Sequence, residues 1–170
     1  MNNLRGRAHV FGDDVNTDYV ISGKYKFKTL DMNELAKHVM EDLHPGFYKE
    51  IEDGDFIVAG ENFGCGSSRE QAPLVIQAAG IGAVLAKSFA RIFYRNCINI
   101  GLPVIECDTS DIGEGDELLV DLRKGKVLNV TRDKSIAAAP LPAVMVRILQ
   151  DGGLVEHFKK HGGFKIEDEG

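Results

Sequence analysis

The sequence predicts an α/β domain that contains parallel β-α-β units. Five consecutive segments alternate between apolar runs typical of buried strands and apolar spacings typical of helices. The strand runs are at residues 55–60, 82–86 and 103–106, and the helical patterns are at residues 68–79 and 89–99. Such alternation is typical of parallel strands, because the chain has to return over one face of the sheet, usually as a helix, before the next parallel strand can begin. A chain of 170 residues with 44% hydrophobic content can bury one core without disulfides or metal. We therefore treat residues 1–170 as a single domain.

Before this alternation, residues 6–11 predict a first strand and residues 33–43 predict an amphipathic helix. The apolar stripe of that helix consists of Leu35, Val39, Met40 and Leu43. Pro45 and Gly46 follow it and predict a turn.

After the alternation, residues 117–122 and 126–131 predict a β-hairpin around the turn at residues 123–125. Residues 142–149 predict a last helix, which the pair Gly152-Gly153 ends. No internal repeat or low-complexity tract interrupts this order of elements.

Charge and hydropathy exclude two classes of partner. The net charge of −6 and the pI near 5.4 leave no basic stripe for nucleic acid. No run approaches the roughly 18 apolar residues of a membrane span, and the polar start at residues 1–5 lacks the apolar region of a signal peptide. We expect a cytoplasmic protein with no membrane partner.

The most specific feature of the chain is the run Gly64-Cys65-Gly66-Ser67-Ser68-Arg69-Glu70, between a predicted strand and a predicted helix. Its glycines permit positive φ, and free amides at a helix start attract a carboxylate or phosphate. Arg69 can grip a carboxylate with two nitrogens, and a serine hydroxyl there can exchange a proton. The alternative is structural: Ser67 or Ser68 caps the helix, while Arg69 and Glu70 are surface charges.

Two further segments stand in similar positions. Residues 11–18 follow the first strand and are rich in Asp, Asn and Thr, which favour turn and capping geometry. Residues 87–96 follow the strand at 82–86 and begin a helix with Ile92, Phe93 and Asn96 at helical spacings. We interpret the aromatic residues of that helix as core residues.

Together and in this order, the three segments resemble the small subunits of the aconitase-type hydro-lyases, the group of 3-isopropylmalate dehydratase and homoaconitase. The resemblance extends over roughly residues 6–107 and depends on Asp14-x-x-Thr17-Asp18, on Gly60-Glu61-Asn62-Phe63-Gly64-Cys65-Gly66-Ser67-Ser68-Arg69-Glu70 and on Lys87-Ser88-Phe89-Ala90-Arg91-Ile92-Phe93. It implies a swivelling β/β/α domain of the aconitase C-terminal type, and the order of predicted elements is compatible with that fold.

The resemblance also implies roles for individual residues. Ser67 aligns with a serine that acts as an alkoxide base, and Asp18 with an aspartate near that base. Ser68 and Arg69 align with residues that bind a substrate carboxylate. The implied partners are a small substituted malate and a large subunit that carries a [4Fe-4S] cluster. In the family that this chain resembles, the open iron of the cluster serves as the Lewis acid for the departing hydroxyl.

The cysteines and histidines suggest no metal site in this chain. Cys65, Cys97 and Cys107 are 32 and 10 residues apart, which matches no local cluster motif. We expect reduced thiols, with Cys97 and Cys107 packed and Cys65 a small residue at the turn. The pair His157-x-x-x-His161 predicts a solvated helix face.

Substrate choice is expected in the loop at residues 22–29, which in relatives meets the substituent that distinguishes the substrates. Lys26 and Lys28 can pair with a third carboxylate, whereas Phe27 can pack against an isopropyl group. A surface loop with solvated lysines is the alternative.

The expected reaction is the isomerisation of 2- to 3-isopropylmalate in leucine synthesis. Homoaconitase and a hydro-lyase for a methylated malate, such as 2,3-dimethylmalate, remain open, as does a binding module without catalysis.

Overall fold

The computed structural model describes residues 3–26, 31–67 and 70–163, with Lys26 described by its backbone. The strands are β1 (Asn3–Val10), β2 (Phe56–Val58), β3 (Ala83–Ala86), β4 (Val104–Glu106), β5 (Glu117–Asp121), β6 (Lys126–Asn129) and β7 (Lys134–Ala137). The helices are α1 (Thr17–Val20), α2 (Gly23–Lys26), α3 (Met32–Ala36), α4 (Phe47–Glu50), α5 (Gln71–Ala78), α6 (Arg91–Ile100), α7 (Ala143–Gln150) and α8 (Leu154–His161). None of the described helices has the length and apolar content of a membrane span.

The strands form one mixed sheet in the order β4-β3-β2-β1-β5-β6-β7. Strand β1 belongs to both halves of it. Its residues Ala8, His9 and Val10 pair in parallel with Phe56, Ile57 and Val58 of β2. Its earlier residues, from Asn3 to Arg7, pair in antiparallel fashion with β5. One long strand therefore joins a parallel half to an antiparallel half.

The two outer edges of this sheet curl towards each other. Cys107, directly after β4, forms an antiparallel bridge with Ala138, directly after β7. The amide of Ala139 donates to the carbonyl of Glu106 over 3.0 Å. The sheet is thus a curled half-barrel, and this contact covers strand edges that would otherwise offer unpaired backbone groups.

Most of the core lies on the parallel half, and the same cluster continues onto the antiparallel half with Leu118, Val120 and Val127. Every residue of β2 and of β3 is buried, which is typical of parallel strands covered on both faces. Helix α3 packs against α5, α5 against α6, and α6 against both α7 and α8. The predicted β-α-β alternation and the predicted hairpin are therefore confirmed.

One predicted helix is much shorter than its apolar stripe. Helix α3 ends at Ala36, and the chain continues in turns up to Leu43. The reason is at Met40, whose amide donates to the carbonyl of Val20 and whose φ is +54°. Val39 and Met40 remain buried, whereas Leu43 is 42% exposed. Burial therefore explains Leu35, Val39 and Met40 of the apolar stripe, but not Leu43.

The sequence analysis predicted neither strand β7 nor the short helices α1, α4 and α2, the last of which lies in the loop expected at residues 22–29, and it misjudged the surface of α8. Strand β7 buries only Ile136, so it lacks the apolar alternation of a strand. Helix α8 carries His157 and His161, and the prediction of a solvated face is wrong. The side chain of His157 is fully buried and that of His161 is 11% exposed, because both histidines face Asp151 at the end of α7.

Asp151 is the centre of a polar network that fastens α8 to α7. One carboxylate oxygen accepts from Nδ1 of His157 at 2.8 Å and from Nε2 of His161 at 3.1 Å. The other accepts from Nζ of Lys160 at 3.3 Å. Burial acts to raise the pKa of Asp151, but the hydrogen bonds from His157, Lys160 and His161 outweigh it and hold that pKa below its usual value.

We expect Asp151→Asn to reduce the free energy of unfolding at pH 7 by roughly 2–3 kcal/mol, because hydrogen bonds to a buried charged group are lost. A carboxyl with a lowered folded-state pKa stabilises the fold above its unfolded pKa of about 3.9. That stabilisation disappears as the pH falls further, through the folded-state pKa. Denaturant titrations at several pH values measure the difference from the parent chain. The exposed residue Asp42 provides the matched control, Asp42→Asn, and an equal loss in both variants would contradict the assigned role of Asp151.

Candidate active site

Three loops that carry the candidate motifs meet at one edge of the parallel half. They follow β1, β2 and β3, which are adjacent and run in the same direction. The carboxyl ends of these three strands therefore point to the same edge of the sheet, which is the common position of ligand sites in α/β sheets. The described parts of the three loops are residues 11–18, 59–67 and 87–90.

The loop after β1 holds the loop after β2 by its backbone. The amide of Gly64 donates to the carbonyl of Val15 at 2.8 Å, and the amide of Thr17 donates to the carbonyl of Cys65 at 3.0 Å. The buried hydroxyl of Thr17 donates to the carbonyl of Ser67 at 2.9 Å. Thr17 therefore fixes the backbone of the turn that presents Ser67.

The loop after β3 holds the same turn from the other side. The amide of Phe63 donates to the carbonyl of Ser88 at 3.0 Å, and the amide of Ala90 donates to the carbonyl of Phe63 at 2.9 Å. The hydroxyl of Ser88 accepts from the amide of Asn62 and donates to the carboxylate of Glu61. The three motifs thus form one hydrogen-bonded unit.

The predicted need for glycine in this turn is confirmed. Gly64 has a φ of +83° and Gly66 a φ of +92°, which are conformations that other residues rarely adopt. A Cβ on Gly64 would lie 2.1 Å from the ring carbon Cγ of Phe93, and a Cβ on Gly66 would lie 3.3 Å from the Cβ of Asn16. Phe93 itself is buried, as expected for a core aromatic residue.

Ser67 lines a cavity of about 220 Å³ at this edge. Its walls are formed by Thr17, Gly64, Gly66, Ser67, Ala90, Arg91, Ile92, Phe93 and Asn96. Ser67 is exposed and therefore accessible to a small molecule. Helix α5 starts at Gln71, with Glu70 at its N-cap position.

The other predicted site residues differ in how far the structure describes them. Asp18 is exposed in the first turn of α1, and its neighbour Thr17 reaches the cavity wall. Ser68, Arg69, Phe27, Lys28 and the side chain of Lys26 lie outside the described residues. Their assigned roles stay predictions.

The cavity wall also contains Arg91 and Asn96, which we did not assign to a site from the sequence. Arg91 is the first residue of α6, is exposed, and has no ion-pair partner among the residues that the structure describes. The sequence did contain a signal, because Arg91 follows β3 at the same sheet edge as the other two motifs.

The described residues do not suit an iron-sulfur cluster, whose ligands are thiolates. Burial raises the pKa of the Cys97 thiol well above its usual value, and burial and then Asp108 raise that of Cys107 to about 12. Within the described ranges, the three cysteines do not converge on a common point. Asp151, His157 and His161 do converge, with ligand atoms within 4.8 Å of one another, but Lys160 already pairs with that carboxylate.

Comparison with known proteins agrees with this geometry. Residues 22–109 match the family described as the aconitase C-terminal domain. The 3-isopropylmalate dehydratase small subunit 2 of Archaeoglobus fulgidus is 59% identical over 161 residues, which cover 95% of this chain and 98% of that protein. A methanogen homoaconitase small subunit from Methanothermobacter thermautotrophicus is 52% identical over 157 residues, 92% of this chain and 91% of that one.

A solved structure extends the comparison to the fold. The crystal structure of 3-isopropylmalate dehydratase (LeuD) from Methanocaldococcus jannaschii superposes with a TM-score of 0.89 at 49% identity, covering 94% of this chain and 95% of that one. The class of protein is therefore a hydro-lyase subunit, and the predicted aconitase-type fold is confirmed. The chain belongs to the aconitase C-terminal domain family, among its dehydratase small subunits. Such a small subunit implies a large-subunit partner.

We expect Gly64→Ala to destabilise the fold more than a strained backbone alone requires, because the new methyl group collides with Phe93. Gly115 provides a matched control, since its φ of +82° is nearly the same and a Cβ added there would meet nothing within 4 Å. Gly115→Ala should cost about 1–2 kcal/mol and Gly64→Ala about 1–3 kcal/mol more. Chemical denaturation measures both, and equal losses would show that Phe93 does not constrain this turn.

Proposed function

We propose that this chain is the small subunit of 3-isopropylmalate dehydratase, which converts 2- to 3-isopropylmalate by dehydration and rehydration in leucine synthesis. The observation that carries the proposal is the position of Ser67, in a cavity where the loops after three parallel strands meet. Dehydratase small subunits that align over nearly the whole chain support it.

In the proposed reaction, Ser67 is the base. Removal of water from a substituted malate requires a base for a weakly acidic C–H, an acid for the departing hydroxyl and cations for the carboxylates. Ser67 Oγ takes the proton from one carbon and returns a proton to the alkene at hydration. A serine has a pKa far above neutrality, so its alkoxide needs nearby positive charge. Arg91 in the same cavity wall and the proposed Arg69 supply that charge.

The remaining residues of the site hold the substrate and the base. Ser68 and Arg69 bind a substrate carboxylate, and the guanidinium of Arg69 donates two parallel hydrogen bonds to it. Thr17 holds the backbone at Ser67, because its hydroxyl donates to the carbonyl of that residue. Asp18 follows Thr17 directly, and in this proposal its carboxylate orients the groups around the base.

The large subunit completes the site. We propose that it carries a [4Fe-4S] cluster, which supplies the Lewis acid for the hydroxyl when bound. Two features of this chain support the division: its buried thiols are held protonated, and its cavity of about 220 Å³ is smaller than most ligand pockets and leaves Ser67 exposed. A second surface has to close over the substrate. As part of the same proposal, the complex works in the cytoplasm, where free cysteines stay reduced.

Homoaconitase is the second candidate. Lys26 and Lys28 stand in the loop expected to select the substrate, and a homoaconitase small subunit is 52% identical to this chain. Phe27 between these lysines favours the isopropyl group instead.

We expect Ser67→Ala to lower kcat by a factor of about 10²–10⁴ in the complex reconstituted anaerobically with its large subunit and cluster, because the base is missing. The melting temperature and the affinity for the large subunit should stay unchanged. The exposed strand residue Ser135 supplies the control, and Ser135→Ala should keep full activity. Turnover of Ser67→Ala near the parent rate would exclude Ser67 as the base.

We expect the parent complex to turn over 2-isopropylmalate with a higher kcat/KM than homocitrate, homoaconitate or 2,3-dimethylmalate. Phe27→Ala should lower kcat/KM for isopropylmalate about tenfold, because an apolar contact is lost. Lys28→Ala should change it less than threefold. Preference for the tricarboxylates, together with a strong effect of Lys28→Ala, would assign homoaconitase instead.

A further inference from the structure

A groove between helices α6, α7 and α8 opens beside the cavity that contains Ser67. Its volume is about 700 Å³. Its apolar walls are Ile98 of α6, Val144, Met145 and Ile148 of α7, and Leu154 of α8. We call this feature the three-helix groove.

The three-helix groove and the Ser67 cavity share a wall. Arg91, at the start of α6, lines both of them. The next residue, Ile92, also lines the cavity and is 53% exposed. A protein surface that closes the cavity over Arg91 and Ile92 therefore reaches the groove directly.

The charge on the rim favours an acidic partner surface. Arg91 and Arg95 are one helical turn apart, are exposed, and form no ion pair with any residue in the described ranges. The chain as a whole carries a net charge of −6. Two guanidinium groups that have no carboxylate partner in the described part of an acidic protein are suited to carboxylates of another molecule.

The walls of the groove are fixed before any partner binds. The Asp151 network holds α8 against α7. At the end of α6, a Cβ on Gly153 would lie 2.6 Å from the carbonyl oxygen of Asn99, so the α7–α8 connection packs directly on α6. Preformed walls lower the entropy lost on association.

We propose that the three-helix groove is the docking site of the large subunit, which inserts an apolar ridge flanked by a carboxylate that pairs with Arg95, whereas Arg91 stays turned to the Ser67 cavity that it also lines. The inference rests on the proposed function, because it takes the large subunit as the partner. It adds the location of the contact, which includes helices α7 and α8, far along the chain from all three motifs.

The test is the equilibrium affinity between this chain and its large subunit, measured by titration calorimetry without substrate. Met145→Asp places a charge in the groove and should weaken the complex about tenfold or more. Arg95→Glu reverses an exposed charge on the rim, should weaken the complex in the same direction, and leaves the core intact. Val155→Asp is the control, since Val155 is 65% exposed on α8 and does not line the groove. It should change the affinity less than twofold.

The outcomes separate the docking site from the reaction. Loss of affinity in both groove variants, with an inactive but assembled parent complex, would support the docking site and reject the proposed reaction. Unchanged affinity in folded Met145→Asp and in Arg95→Glu would overturn the docking site. Sedimentation of the isolated chain tests a further outcome. If these variants abolish its self-association while the affinity for the large subunit is unchanged, the groove joins two copies of this chain and the docking site is again overturned.

Discussion

The close approach of Gly64 to Phe93 is the constraint on which the site depends. A glycine with positive φ lets the turn after β2 lie directly on the ring of Phe93, so the start of α6 is fixed against that turn. Arg91 and Ile92 precede Phe93 and are therefore held beside Ser67. The same helix forms one wall of the three-helix groove. One backbone contact thus relates the position of the proposed base to that of the proposed docking surface.

The two halves of the sheet contribute differently to this arrangement. All three motif loops leave the parallel half, where β1, β2 and β3 end at a common edge. The antiparallel half joins it through β1 and returns to it at Cys107 and Ala138. Because β1 pairs with a different strand on each half of its length, its carboxyl end is anchored by residues distant in sequence. That anchoring gives the loop after β1, with Thr17, a rigid support.

The sequence predicted the elements whose pattern and burial agree. Strands β2 and β3 are continuous apolar runs that end in glycine-rich or polar loops, and the hairpin of β5 and β6 has a turn signal. It failed where tertiary contacts override local preference, as at Met40, whose amide bonds to Val20 and stops α3 early. It also failed at His157, because a polar residue paired with a buried aspartate resembles a surface residue in sequence. In the site, Ser67 and the glycines were predicted, whereas Arg91 was not assigned, although its position after β3 was a signal that the structure bears out by placing it in the cavity wall.

A site divided between two chains has a physical logic in the proposed reaction. In the proposed reaction the base and the Lewis acid act on neighbouring atoms of one substrate, so the distance between them has to match that substrate. If the base stands on this chain and the cluster on the large subunit, their separation depends on how the two surfaces dock. A rigid turn at Ser67 and a rigid groove nearby then determine the distance between base and Lewis acid when the complex forms. Subunit association and catalysis are coupled on this view, because the contacts along α6 that join the subunits also set the geometry at the reacting carbons.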